Sequence, residues 1–210
     1  MRIVALALLV AACGGDDGNN GKMDGGGSGS GSGSGIDDAI VGMWNKAPGA
    51  DPMYAFDSVK FGSDGSVLEK TSGKADSMGT FTLPSSGEVS ITTTGGGSNS
   101  GTIQTQYVAT ADHLMLTAFF PKGTVNGYVG MWENKTTSNG TMETVDFTVN
   151  NDMTAVFTLT PASGQGMTYN GTWATDPTGI MFTVAGGIVT FHFTGINNNQ
   201  AIGYLYYVKA

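Results

Sequence analysis

The chain has 210 residues, 17 acids against 9 bases, and a formal charge of −8. Only 12% of its residues are charged, about half the usual share, so its polar surface has to come from Thr, Ser, Asn and Gly. Phosphate contacts need clustered Lys and Arg. The sequence has no such cluster, which argues against nucleic acid and against peripheral attraction to anionic headgroups.

Met1 and Arg2 precede the apolar run "IVALALLVAA". One positive residue and a short apolar run have the form of a secretory signal, and the run is too short to cross a bilayer as a helix. The next residues, "LVAAC", resemble the bacterial lipobox. That resemblance places Val10, Ala11 and Ala12 before the cleavage point and makes Cys13 the lipid-modified N-terminus, with residues 1–12 as the signal peptide. Cys13 is the only Cys in the chain, so it has no disulfide partner here. In the lipoprotein family a residue other than Asp after the Cys, here Gly14, favours the outer membrane. The implied address is the bacterial cell envelope, on its periplasmic or outer face, with the membrane reached through N-terminal lipid. Each buried acyl CH₂ contributes about 0.8 kcal/mol, so several chains together hold a protein stably.

Residues 14–35, "GGDDGNNGKMDGGGSGSGSGSG", contain Met23 as their one sizeable apolar side chain. Such a stretch buries too little to offset its chain entropy. Residues 13–35 therefore read as the lipidated Cys and a disordered Gly/Ser linker, with a mean span of roughly 25 Å.

From Ile36 onward the apolar pattern has period two, the mark of half-buried strands. "ETVDFTVN" puts Val145, Phe147 and Val149 on one face. "IVTFHFTG" does the same for Val189, Phe191 and Phe193. "QAIGYLYYV" aligns Ile202, Tyr204, Tyr206 and Val208, and "DHLMLTAFF" aligns Leu114, Leu116, Ala118 and Phe120. Gly-, Asn- and Ser-rich turns separate these runs, and the prolines lie in or beside the gaps. The expectation is an all-β antiparallel meander.

The tetrapeptide "VGMW" occurs twice, ending at Trp44 and at Trp132. With the two copies superposed, "DSVKFGSDG" falls near "ETVDFTVNND", matching Val59 with Val145 and Phe61 with Phe147. Gly79-Thr80-Phe81 matches Gly171-Thr172-Trp173. Aligned aromatics at a fixed period indicate internal duplication. Residues 36–124 and 125–210 then form two units of about seven short strands each. Trp44, Trp132, Trp173 and Phe81 are the expected structural anchors. Gly42 and Gly130 are expected where a neighbouring group comes close.

A Gly-x-Trp opening strand, an aromatic-x-x-Asp-Gly hairpin and a Gly-Thr-aromatic strand together resemble the lipocalin-like small barrels of bacterial lipoproteins. The resemblance covers roughly residues 39–210 and rests on Gly42/Trp44, Phe61 with Asp64-Gly65, and Gly79-Thr80-Phe81. It implies two tandem lipocalin-like barrel units. One pseudo-twofold barrel or sandwich fits the same pattern. A membrane-spanning barrel fits poorly, because the second face of the strands is Thr, Ser, Asn and Asp rather than an apolar band.

Little in the sequence points to catalysis. His113 and His192 fall at different places in the two halves, and no zinc-type set or nucleophile elbow occurs. Asp16-Asp17 and Asp37-Asp38 belong to the linker and its end, and Glu133 and Glu143 flank a hairpin. The acids around Asp64 and Asn150–Asp152 lack the dense spacing of a calcium loop. No enzyme activity, metal or cofactor is expected. Eleven Met residues suit irregular packing or an apolar cavity. The functional expectation is a membrane-anchored lipoprotein holding a small apolar ligand in a barrel. The alternative is a structural or adhesive surface module. The sequence indicates no protein partner.

Overall fold

The computed structural model describes residues 39–48, 56–94, 101–177, 179–184, 187–196, 199–203 and 205–210. The expected signal and linker, with Cys13 between them, lie outside the described residues. So do the side chains of 184–200, including the expected face of Val189, Phe191 and Phe193.

Sixteen strands and no helix occur among the described residues. The first eight are β1 Gly42–Lys46, β2 Ser58–Phe61, β3 Ser66–Lys70, β4 Ser77–Ser85, β5 Glu88–Thr94, β6 Gly101–Ala109, β7 His113–Leu116 and β8 Phe120–Pro121. The second eight are β9 Gly130–Ser138, β10 Thr141–Val149, β11 Thr154–Pro161, β12 Met167–Asp176, β13 Gly179–Val184, β14 Gly187–Ile196, β15 Asn199–Gly203 and β16 Leu205–Lys209. All pairings are antiparallel. Short turns and β-branched, period-two strands make most neighbours in sequence neighbours in the sheet; β7 with β8 and β15 with β16 are the exceptions.

β1 to β7 form a meander that does not close on itself. The C-terminal strand β16 closes it by pairing with β1 (Trp44↔Lys209) on one side and with β7 (Tyr207↔Leu114) on the other. The result is a closed eight-stranded barrel, β1-β2-β3-β4-β5-β6-β7-β16. The remaining strands continue from it. β9 joins β6 through Ile103↔Ser138 and Gln104↔Thr137, and β9 to β15 follow in order. β8 pairs with β9 (Pro121↔Trp132), and Phe119 bridges to Ile202 at β15.

The expected single strand across 112–120 is two strands. The chain breaks at Thr117, whose φ of 54° no β-strand residue adopts. Beyond the break Ala118 is buried as expected, but Phe119 is buried beside it and Phe120 is only half-buried. On β16, Leu205 and Tyr207 face the core while Tyr206 and Val208 are half-buried, and Tyr204 lies outside the described residues. At Thr117 the chain runs out of one set of partners, β6 and β16, and into another, β9. A simple alternation count carries through the break and assigns the wrong face.

The register also revises the superposition of the two VGMW segments. Trp44 pairs with Val59 and Trp132 with Phe147; Gly42 pairs with Phe61 and Gly130 with Val149. Val59 therefore corresponds to Phe147 and Phe61 to Val149, two residues further along than the sequence match.

The main apolar core runs through both sets of strands, with Trp44, Val59, Phe61, Trp132, Phe147, Phe182 and Tyr207 among its buried members. Ring contacts knit it together: Phe61–Phe81 at 4.9 Å and Phe147–Phe182 at 5.2 Å are both edge-on. A smaller cluster of Met115, Ala118 and Ala201 sits beside the Thr117 break.

Candidate functional site

Alternation along β3 turns Val67 and Glu69 inward, between Ser66, Leu68 and Lys70 on the other face. Glu69 is thus a carboxyl group turned into the barrel interior, with 7% of its surface exposed. It pairs with Val59 on β2 and Ser77 on β4. Burial pushes its pKa up to about 7, and the Ser77 hydroxyl opposes this. Ser77 Oγ is itself buried and closes no hydrogen bond among the described residues. On β16 the phenol of Tyr207 completes this polar end. Its oxygen accepts a hydrogen bond from Phe56 N at 3.2 Å. Burial drives the phenol far above its ordinary pKa; the Phe56 N–H opposes this, and the charge of Glu69 adds to it.

The cation on β1 is already engaged. Lys46, on β1 opposite Tyr207, donates to Asp57 Oδ1 at 2.8 Å. With the Ser72 N–H, this holds the Asp57 carboxyl well below the usual range. Lys70 points outward to Asp76 at 3.5 Å. Glu69 has no ion-pair partner among the described residues.

A second buried polar group lies where β6 meets β9. Asn134, fully buried, donates to Ala118 O at 2.8 Å and accepts from Thr136 Oγ1 at 2.5 Å. Thr105 and Thr136 share a hydrogen bond of 3.0 Å. This network is almost saturated, as a buried polar seam has to be; the Thr117 hydroxyl beside it is not.

Of the expected anchors, Trp44 and Trp132 are fully buried, Phe81 is buried and Trp173 is half-buried. The Trp173 indole donates to Asn150 O at 2.8 Å. Gly42 and Gly130 have φ of 139° and 142°, outside the range of L side chains. The close neighbour at Gly42 is the tip of the Lys209 side chain, and at Gly130 it is Val125, through both its side chain and its backbone Cα. His113 is exposed and stacks on Tyr206 at 5.4 Å. His192 lies in β14 opposite Gly179, its side chain outside the described residues. Glu133 is held by Lys122 at 2.8 Å and Lys135 at 3.4 Å, on an exposed surface. Glu143 faces Thr136 across the β9–β10 pair instead of joining it. No group of three or more metal-ligating side chains occurs among the described residues.

Sequence reasoning overlooked Glu69 and Asn134. Each has a signal in period two: Glu69 shares a face with Val67, and Asn134 shares one with Trp132. A polar residue at a core-facing position is what that pattern offers a reader.

The chain matches no protein-family model, no curated protein and no solved structure.

Proposed function

We propose that this chain is a membrane-anchored, extracytoplasmic lipoprotein without enzymatic activity that holds a small apolar ligand in a β-barrel. The observation that carries the ligand reading is the polar end formed by Glu69, Ser77 and Tyr207 within an apolar enclosure. An enclosure with few polar groups at one place orients an amphipathic guest. Eight strands leave an interior that side chains fill or that one small ligand occupies. Anchoring rests on the lipobox-like "LVAAC" and the Gly/Ser linker after it; Gly14 directs the anchor to the outer membrane.

The architecture proposed is a duplicated, lipocalin-like pair of barrels. Support comes from features that recur 88 residues apart. Trp44 Nε1 donates to Ile40 O at 2.7 Å, and Trp132 Nε1 donates to Tyr128 O at 2.9 Å. Asp64 Oδ1 accepts from Ser66 N at 3.0 Å, and Asp152 Oδ1 from Thr154 N at 3.0 Å. Tyr207↔Leu114 and Phe119↔Ile202 obey the same offset, as do Trp44↔Lys209 and Trp132↔Pro121. On this reading each unit closes with the eighth strand of the other: β16 in the first, β8 in the second.

The ring contacts within the core favour a second reading, a packed structural or adhesive module with no ligand. Native mass spectrometry of the full chain carrying Cys13→Ser, purified from its own host, separates the two. A co-purifying small mass is expected. A clean apo mass, with no binding of fluorescent fatty-acid probes, supports the packed module. Labelling with radioactive palmitate tests the anchor: the label enters the wild-type chain and is lost in Cys13→Ala.

A further inference from the structure

We infer that the polar end of the closed barrel binds the cationic head of an amphiphilic amine, with Glu69 as its counter-ion. This rests on the ligand-carrier reading above and names the chemistry of the guest.

Three groups converge there, and all three can accept hydrogen bonds. Glu69 brings a carboxylate, Ser77 a hydroxyl oxygen without a partner among the described residues, and Tyr207 a phenol oxygen. An alkylammonium carries three N–H donors and no acceptor, so it complements such a set. A fatty acid does not, because its carboxylate would meet a second one.

The elements packed around Glu69 bring it no cation. β2 contributes Val59, with Lys60 turned outward and exposed. β4 contributes Ser77, and β16 contributes Tyr207. On β1, Lys46 is tied to Asp57 at 2.8 Å. A buried carboxyl group without a cation keeps its proton or finds one from outside, and its pKa of about 7 reflects that unmet need. The hydrocarbon beside it is contributed by Val59, paired with Glu69, and by Leu205 and Leu114, next to Tyr207. An apolar tail finds its contacts there.

The test uses the full chain with Cys13→Ser, so that no acyl group of its own competes. Dodecylamine, dodecanol and dodecanoate are titrated calorimetrically below their micellar concentrations at pH 8. The alkylammonium is then charged and Glu69 is ionised. The amine is expected to bind at least about ten-fold more tightly than the alcohol. Glu69→Gln, a near-isosteric neutral change, should erase that preference. Lowering the pH to 5, which protonates Glu69, should erase it in the wild-type chain as well. Equal binding of amine and alcohol, tightest binding of the carboxylate, or a preference that survives Glu69→Gln overturns the head-group assignment and leaves the ligand carrier standing. Binding of none of the three overturns both.

Discussion

Trp44 and Trp132 each combine full burial, an indole N–H bonded to the carbonyl four residues earlier, and a left-handed glycine two residues before. Removing either ring leaves a cavity and an orphaned carbonyl, so Trp44→Ala and Trp132→Ala should each cost about 3–5 kcal/mol in urea unfolding. Similar losses at both positions fit the duplicated architecture; a negligible loss at one contradicts it. Glu69 makes a different demand. Its pKa is 4.5 as an ordinary carboxyl and about 7 in the fold. Between those pH values the folded protein binds more protons than the unfolded chain, so stability falls as pH rises from about 4.5 to about 7. The full difference is about 3 kcal/mol, present below pH 4.5 and lost above pH 7. Chemical denaturation across that range should show the decline in the wild-type protein and a flatter profile in Glu69→Gln.

At the scale of the element, the hairpins β2–β3 and β10–β11 use one turn with one difference. Asp64 and Asp152 accept the same pair of hydrogen bonds from Ser66 and Thr154. The residue after the Asp has φ of 81° at Gly65 but 66° at Met153. The second hairpin therefore keeps the Asp and replaces the Gly with Met153. A left-handed conformation costs an L-residue about 1–2 kcal/mol. Met153→Gly should raise the unfolding midpoint, gaining up to about 1 kcal/mol, and Gly65→Met should lose about 1–2 kcal/mol. Thermal melts of the two single variants check both signs.

At the scale of the molecule, the last strand fills the gap between β1 and β7. Until Leu205–Lys209 is in place, two strand edges stay open and Trp44 lacks Lys209, whose ammonium lies 4.2 Å from the ring centre. Unfolding should therefore be a single transition in which the N-terminal strands and the C-terminal strand are lost together. Deleting residues 205–210 should abolish cooperative melting and drive the chain to aggregate. Two separate transitions in near-ultraviolet circular dichroism, or a truncated chain that melts sharply, would contradict this.

The sequence by itself determined the class of fold. Period two, turn chemistry and β-branched composition leave an antiparallel sheet as the arrangement that buries one face of each strand, and the repeated Gly-x-Trp marked the buried rings. These are local properties, legible because a strand's faces alternate within a few residues. Three things were decided only in the tertiary structure. The break at Thr117 arises because the chain changes partners there, and no pattern along one strand records its neighbour. Closure by β16 joins residues about 160 apart in the chain, a pairing chosen by free edges rather than by propensity. The chemistry of Glu69 follows from the same closure. In "SVLEK" period two puts it only on the face of Val67; enclosed by β2, β4 and β16, with Lys46 held by Asp57, it becomes a buried carboxyl group without a counter-charge among the described residues. Its desolvation comes from the whole barrel and from no single stretch of sequence.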